Sequence, residues 1–224
     1  MMKAVLFDLD NTLLDRDASV RSFVSHQYDR LSNYLNHIPK ETYINRFIHI
    51  EQRGYVWKDI VYQQLVEEFI IREISSDELL QDYIMEFRNH CIPFPNLNAM
   101  LDSLKESQLL LGIITNGKGK FQMDNIKALK IEDYFDLILI SEWENLKKPD
   151  PRIFQRALEQ LNVRAKSSFF VGDHPQNDID GAHRVNMKTI WKRDHQWCDV
   201  HADFIIDDLI EIPAIIHKDN ISQI

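Results

Sequence analysis

Six short apolar segments, each followed at once by a polar residue or glycine, limit the folds available to this chain more than any other feature. Continuous apolar runs of this length are typical of strands buried on both faces of a sheet. Segments with helical spacing separate them, which predicts a parallel α/β sheet with helices on both faces. The predicted strands are Ala4–Phe7, Leu109–Ile114, Leu137–Ile140, Phe169–Val171, Lys188–Trp191 and Phe204–Ile206.

Residues 15–92 have a different pattern. Their apolar residues follow helical periodicity throughout, and Ser75 with Glu78 has the spacing of a capping box at a helix start. We therefore predict an all-helical insert at residues 15–92, placed after the first strand, and an α/β core formed by residues 1–14 and 93–224. The tail after Asp208 is predicted to be a short helix disturbed by Pro213, followed by a frayed end.

The composition excludes several classes of protein. The 224 residues carry a net charge of −9, which argues against broad electrostatic binding to nucleic acid or to an anionic membrane surface. The two cysteines, Cys91 and Cys198, form neither a disulfide framework nor a metal-binding pattern, so we expect a protein of the reducing cytosol. Asp8 and Asp10 come too early for the apolar region of a signal peptide, and no apolar run is long enough to span a membrane.

Polar groups follow the first two predicted strands. Asp8 and Asp10 are two residues apart, so their carboxylates face the same side if the strand stays extended. Thr115 follows the second strand and precedes Asn116 and Gly117. A hydroxyl and backbone N–H groups at a helix start can hold an anion such as phosphate. Either motif alone also fits an ordinary turn or helix cap.

Polar groups follow the third and fourth strands as well. Lys147 and Lys148 precede a proline after the third strand, and Asp173 and Asp178 follow the fourth. Each of these also fits a charged loop or a turn when taken alone. Because ligands of open parallel sheets bind at the carboxyl ends of the strands, all four groups are expected to converge at one edge.

Such convergence would place four carboxylates, those of Asp8, Asp10, Asp173 and Asp178, in one crevice. Close carboxylates repel each other, and a divalent cation with oxygen ligands removes that conflict. Carboxylates without a set of Cys or His ligands favour Mg²⁺ over Zn²⁺. His174 is the one nearby nitrogen donor, and we assign it a structural role.

In this order, the four motifs resemble those of the haloacid dehalogenase-like hydrolase superfamily. The segments that carry the resemblance are FDLDNTL, IITNG, LKKPDP and GDHPQND. The resemblance extends over the whole predicted core. It implies a Rossmann-like core with the helical insert as its cap, and a phosphatase of small molecules similar to phosphoglycolate phosphatase and pyrimidine 5′-nucleotidases.

The resemblance also implies a role for each matching residue. Asp8 would be the nucleophile that forms an aspartyl-phosphate, and Asp10 the acid and base that serves the leaving oxygen and then water. Thr115 would bind the transferring phosphoryl group together with the backbone of Asn116 and Gly117. Lys148 would neutralise the charge between Asp8 and the phosphate, and it fits the motif better than its neighbour because it adjoins the proline.

The same resemblance implies a Mg²⁺ site. Asp173 would bind the ion together with the Asp8 carboxylate and the backbone carbonyl of Asp10. Asp178 would be a second acidic support, either directly or through water. These roles agree with phosphoryl transfer, which needs in-line attack and neutralised oxygens more than elaborate covalent chemistry.

Several alternatives stay open at this point. The dehalogenases of the superfamily lack an acid at the position of Asp10, so its presence favours phosphate ester hydrolysis, but a phosphomutase would share the same core. A phospho-receiver is disfavoured by the early Asp8 and by the insert, and a catalytically inactive binding protein is disfavoured because no motif Asp is missing. Turnover of an aryl phosphate with Mg²⁺ would separate these classes. We expect a small phosphorylated metabolite as partner, with phosphoglycolate, nucleotides and sugar phosphates all open. Monomer and homodimer are likewise open.

Overall fold

The computed structural model describes residues 2–221 of the chain. The chain divides into two compact units, one formed by Met1–Asp15 with Pro93–Ile224 and the other by Arg16–Ile92. No helix within the described residues is both long enough and apolar enough to cross a membrane. The functional assignment of the two units as catalytic core and cap stays a prediction.

The unit Arg16–Ile92 is helical, and none of its residues, all of which the structure describes, forms a β-strand. Ser75 caps its last α-helix: its hydroxyl accepts a hydrogen bond from the Glu78 N–H at 3.2 Å, and its own N–H donates to the Glu78 carboxylate at 2.8 Å. The predicted capping box is thereby confirmed. The helices are α1 (Arg16–Arg30), α2 (Ser32–Leu35), α3 (Lys40–Glu51), α4 (Lys58–Glu68) and α5 (Ser76–Glu86).

A buried ion group joins three of these helices. Glu51 accepts hydrogen bonds from the Arg16 guanidinium at 2.6 and 3.2 Å and from the Lys58 ammonium at 2.8 Å. Burial alone would raise the pKa of Glu51, but the hydrogen bonds and charges of Arg16 and Lys58 outweigh it and lower the pKa to about 2. The ionised Glu51 therefore stabilises this unit by compensating two cations.

The other unit is built on a parallel sheet. Within residues 2–221 the sheet has six strands in the order β3-β2-β1-β4-β5-β6, and every neighbouring pair is parallel. The predicted α/β fold class is confirmed, and each predicted strand is present to within one residue at either end. The strands are β1 (Ala4–Phe7), β2 (Leu110–Thr115), β3 (Leu137–Ile140), β4 (Ser168–Gly172), β5 (Lys188–Lys192) and β6 (Phe204–Ile206).

Helices cover the sheet because both of its faces are apolar. Ala4 and Leu6 of β1 pack in one buried cluster with residues of the helix Pro151–Gln160, while Val5 and Phe7 project to the opposite face and are equally buried. The α-helices of this unit are α6 (Leu97–Glu106), α7 (Gly119–Ala128), α8 (Ser141–Glu144), α9 (Pro151–Gln160), α10 (Gly181–His183) and α11 (Ile212–Ile221).

The strand order brings two strand ends together at the centre of the sheet. The chain runs from β1 outward through β2 and β3, then returns to place β4 on the other side of β1. The register pairs Phe7 with Ile113 on one side and with Val171 on the other. The residues that follow β1 and β4 therefore meet in the crevice where the strand order reverses, which is where open α/β sheets bind ligands.

The tail differs from its prediction. Pro213 does not disturb the last helix, because it is the second residue of α11, where a missing N–H leaves no hydrogen bond unmade. A 3₁₀ turn at Leu209–Glu211 precedes it, capped by Asp208. The end of the predicted frayed segment, at 222–224, lies outside the described residues.

We expect Glu51→Gln to lower the free energy of unfolding by about 3 kcal/mol at pH 7, because it leaves two buried cations without their counter-charge. The folded pKa of Glu51 is lowered to about 2 from 4.5, so its stabilisation is complete above pH 4.5 and is lost as the pH falls toward 2. Urea unfolding at several pH values measures this. Glu67→Gln, at an exposed position, is the matched control, and a gap between the two variants that does not shrink as the pH falls from 4.5 toward 2 would contradict the assignment.

Candidate active site

Asp8 follows β1 and lies at the centre of the sheet edge. Its backbone N–H donates to the carbonyl of Val171 at 2.9 Å, which extends the β1–β4 pairing by one step. Its carboxylate accepts a hydrogen bond from the Lys148 ammonium on Oδ1 at 2.5 Å and one from the Thr12 hydroxyl on Oδ2 at 3.2 Å. The turn after Asp8 brings Thr12 back because Asn11 adopts a left-handed conformation, φ 58°, which asparagine tolerates.

Lys148 joins the two central strand ends. Its ammonium donates to Asp8 at 2.5 Å and to Asp178 at 2.7 Å, and its side chain is only 3% exposed. The loop that carries it is held by Asn116, whose side chain donates to the Lys148 carbonyl at 3.0 Å and accepts from the Lys148 N–H at 2.9 Å. The neighbouring Lys147 is exposed, so the structure brings Lys148 and not Lys147 into the site.

Burial and neighbouring charges shift the pKa values of Asp8 and Lys148. Burial raises the pKa of Asp8 to about 6, with a further rise from Asp178, although Lys148 acts to lower it. Burial would lower the pKa of Lys148, but the charges of Asp178 and Asp8 outweigh it and raise the pKa, so Lys148 stays protonated. The ammonium is therefore a permanent positive charge beside the Asp8 carboxylate.

The position of Asp178 beside Lys148 depends on the lack of a side chain at Gly172. Asp178 lies on a π-helical turn, Pro175–Asp180, and its second carboxylate oxygen accepts from the His174 N–H at 3.0 Å. A Cβ atom on Gly172 would lie 2.5 Å from the Cβ of Asp178, closer than real atoms approach. The glycine that ends β4 is thus required for the close approach of this carboxylate.

Among the residues that the structure describes, Asp8, Asp173 and Asp178 form a cluster that could hold a metal ion. One carboxylate oxygen from each lies within 4.8 Å of the others, and all three residues are buried. Burial raises the pKa of Asp173, and the charges of Asp178 and Asp8 raise it further. The backbone of Asp173 is held by the Trp191 indole, whose N–H donates to its carbonyl at 2.7 Å.

The donor set of this cluster fits a hard divalent cation. All three candidate ligands are carboxylate oxygens, which Mg²⁺ prefers over nitrogen or sulfur. The Lys148 ammonium compensates only one of the three negative charges of the ionised cluster. A divalent cation would compensate the other two. The ring nitrogen Nδ1 of His174 accepts a hydrogen bond from the Asn177 N–H at 3.2 Å, and the structural role of His174 stays a prediction.

The carboxylate of Asp10 has a separate environment. Its Oδ2 accepts a hydrogen bond from the Gln122 side-chain amide at 2.8 Å, and the same amide nitrogen donates to the Thr115 hydroxyl at 2.8 Å. Asp10 is thus tied to the end of β2, and its side chain is not one of the three that cluster within the described part of the chain. The carboxylates of Asp8 and Asp10 leave the same strand end but bind different partners.

The segment after Thr115 differs from its prediction. Helix α7 begins at Gly119 rather than directly after Thr115. The N–H of Gly117 donates to the Ser141 hydroxyl at 2.9 Å, and the side chain of Asn116 holds the Lys148 backbone. The Gly117 N–H that was predicted to bind phosphate therefore already has a hydrogen-bond partner in this structure.

Two contacting residues were not assigned a role from the sequence. Gln122 contacts both Asp10 and Thr115, and Thr12 contacts Asp8. The signal for Gln122 was available in its helix, because Gln122 and Asn125 are polar but share a face with the apolar Ile126, and all three are buried. A polar pair on the buried face of a helix indicates a built hydrogen-bond network.

Comparison with known proteins connects this site to a family. Residues 5–192 match the family described as haloacid dehalogenase-like hydrolase. A glyceraldehyde 3-phosphate phosphatase of Pyrococcus furiosus is 27% identical over 98% of this chain and 95% of its own length.

Solved structures show the same similarity. The crystal structure of a HAD phosphatase from Thermococcus onnurineus has a TM-score of 0.68 and 29% identity, covering 96% of this chain and 98% of that one. A 2-haloacid dehalogenase from Pseudomonas syringae pv. Tomato DC3000 has a TM-score of 0.64 and 27% identity, covering 97% and 99%. The architecture is therefore shared by proteins named for two different reactions, and the site residues have to discriminate between them.

We expect Gly172→Ala to lower the free energy of unfolding by about 1–3 kcal/mol, because the added methyl group overlaps Asp178. The matched control is Gly112→Ala on β2, where the new Cβ meets the flexible Leu6 side chain at 3.3 Å and a smaller loss is expected. Urea unfolding of both variants measures the difference. Equal stability of the two variants would show that Asp178 can move away at no cost.

Proposed function

Because the chain belongs to the haloacid dehalogenase-like hydrolase family, we propose that it hydrolyses small phosphate monoesters in two steps, through a phosphorylated Asp8 and with Mg²⁺. It is a phosphoric monoester hydrolase. The observation that carries the finer proposal is the different environment of the two acids: Asp8 lies beside the Lys148 ammonium, while Asp10 is held by a neutral amide. A nucleophile needs its negative charge compensated, and an acid and base needs to gain and lose a proton.

In the first step, an oxygen of the Asp8 carboxylate attacks phosphorus, and the bond between phosphorus and the ester oxygen breaks. Asp10 donates its proton to that oxygen, so the alcohol leaves neutral. Lys148 supports the attack because its ammonium, 2.5 Å from Asp8, reduces repulsion between the carboxylate and the anionic phosphate.

In the second step, Asp10 takes a proton from water, and the resulting hydroxide attacks phosphorus of the aspartyl-phosphate. Inorganic phosphate leaves, and the Asp8 carboxylate is regenerated. One residue thus serves as acid and then as base, which restores its starting protonation state after each cycle. Thr115, at the end of β2, is the hydroxyl proposed to bind the phosphoryl oxygens.

Asp8, Asp173 and Asp178 are the residues that would hold Mg²⁺, with the carbonyl of Asp10 as the further ligand implied by the family motif. The bound ion would supply charge neutralisation for the phosphate oxygens. The cluster of three buried carboxylates with one ammonium supports this assignment.

The presence of Asp10 favours a phosphatase over a dehalogenase. A halide leaves without a proton, whereas an alkoxide needs one, so an acid held beside the site is useful only for the ester. The relative from Pyrococcus furiosus is named for glyceraldehyde 3-phosphate. A panel of that compound, phosphoglycolate, sugar phosphates and nucleoside monophosphates would identify the substrate of this chain.

We expect Asp8→Asn to reduce phosphatase turnover by about 10⁴-fold or more, because an amide cannot form the acyl phosphate. Release of inorganic phosphate from an aryl phosphate with Mg²⁺ measures this. Asp180→Asn is the matched control, since Asp180 is exposed and should keep full activity. Wild-type-like turnover by a pure Asp8→Asn sample would refute the nucleophile.

Chelation by EDTA should stop turnover, and addition of Mg²⁺ should restore it, because the proposed ligands are all oxygen atoms. Zn²⁺ added to a parallel sample is the comparison. Restoration by Zn²⁺ without restoration by Mg²⁺ would contradict the assignment of the cation.

Lys148→Ala should reduce kcat by roughly 10²- to 10³-fold, since it removes the positive charge beside Asp8. Lys147→Ala should stay close to wild type because that side chain is exposed. Steady-state kinetics of the two adjacent alanine variants measure the difference. Equal losses would show that the buried ammonium has no special role.

A further inference from the structure

The side chain of Gln122 is buried in the site, with 2% of the residue exposed. A buried amide is costly unless its hydrogen-bonding groups have partners, and here they do. Its nitrogen donates to Oδ2 of Asp10 and to Oγ1 of Thr115, both at 2.8 Å, and its oxygen accepts from the Asn125 side chain at 3.2 Å.

These contacts define the orientation of the amide. A flipped amide would turn the Gln122 oxygen toward the carboxylate of Asp10 and its NH₂ group toward the Asn125 NH₂ group, so both pairs would be mismatched. The N–H groups therefore face Asp10 and Thr115. One planar group thereby sets the spacing between a carboxylate that follows β1 and a hydroxyl that ends β2.

The hydrogen bond also holds the Asp10 carboxylate in place. Oδ2 accepts from the Gln122 amide, which also contacts Thr115 and Asn125, so the carboxylate cannot turn without breaking this contact. In the first step of the proposed reaction, the proton of Asp10 would pass to the ester oxygen as its bond to phosphorus breaks. The electron pair of that bond stays on the departing alcohol.

We propose that Gln122 is a positioning residue that aims the proton of Asp10 at the leaving oxygen of a phosphoryl group bound at Thr115. This inference rests on the proposed phosphatase function. It assigns Gln122 to the departure of the alcohol and not to the attack by Asp8, which has its own contacts with Lys148 and Thr12.

The consequence is a dependence on the leaving group. An alkyl phosphate releases a poor leaving group that needs the proton, whereas 4-nitrophenyl phosphate releases a good one that needs it little. The value of kcat/KM reports on the steps up to phosphorylation of Asp8, so it isolates the acid role from the later base role. A residue that only supports the fold would reduce kcat/KM for both esters alike.

The test is Gln122→Met, which keeps the length of the side chain and removes both N–H donors. We expect kcat/KM for an alkyl phosphate accepted by the wild type to fall by roughly 10- to 100-fold, as for a misplaced catalytic group, and kcat/KM for 4-nitrophenyl phosphate to fall far less. Ile126→Val, on the same buried helix face, is the control and should leave the ratio of the two values unchanged.

A double-mutant cycle makes the test specific for Asp10. In an Asp10→Asn background, Gln122→Met should cause no further loss for the alkyl ester, because the proton donor is already absent. Equal losses for the two esters, no loss for either, or a full additional loss in the Asp10→Asn background would each overturn the proposal.

Two further measurements keep the test decisive. If Gln122→Met does not give the wild-type circular dichroism spectrum, Gln122→Glu replaces it, since it keeps the shape, lacks the N–H donors and should lose the same selectivity. Failure of the proposed function is recognised separately, because wild-type protein would then release no phosphate from either ester, or Asp8→Asn would remain active.

Discussion

The Lys148 ammonium lies between the carboxylates of Asp8 and Asp178, and the arrangement of the site depends on this pair of contacts. Asp8 comes from the end of β1, Asp178 from the turn after β4 and Lys148 from the loop after β3. Two buried carboxylates at this separation would repel each other without a cation, and a buried ammonium would be unstable without them. The three charges therefore stabilise one another, and the strand ends that carry them are held in one crevice.

Asp10, the second acid of the first motif, is held by a neutral hydrogen bond rather than by an ion pair. Asp10 accepts a hydrogen bond from the neutral amide of Gln122 on α7, whereas Asp8 is paired with the Lys148 ammonium. The carboxylates of Asp8 and Asp10 therefore have different surroundings, although they are only two residues apart. Such a difference is needed if one is to act as nucleophile and the other as acid and base. The parallel sheet provides it because the neighbours of β1 on its two sides lead to different residues. The acidic turn follows β4, whereas the Thr115 hydroxyl ends β2 and the Gln122 amide lies on the helix α7 that follows.

The strands could be predicted to within one residue because a strand buried on both faces has to be apolar throughout, and that signal is local. The convergence of Asp8, Lys148 and Asp173 on one sheet edge follows from the same pattern, since parallel strands end at one side. The spacing of Gln122 places it on the buried face of its helix, but its contacts with Asp10 and Thr115 could not be predicted in this way, nor could the hydrogen bond from the Gly117 N–H to Ser141. They depend on the rotation of a helix and on the path of a loop, and no short-range pattern specifies either.

The two hydrogen bonds between the Asn116 side chain and the Lys148 backbone join positions 32 residues apart. They close the intervening segment, which contains α7, β3 and α8, into a loop whose two ends are fastened to each other. Changes in length or sequence on the far side of that loop need not move its base. Related proteins could therefore vary extensively at the outer edge of the sheet without displacing Lys148. The part of the chain that is open to variation is then distinct from the part that the chemistry constrains.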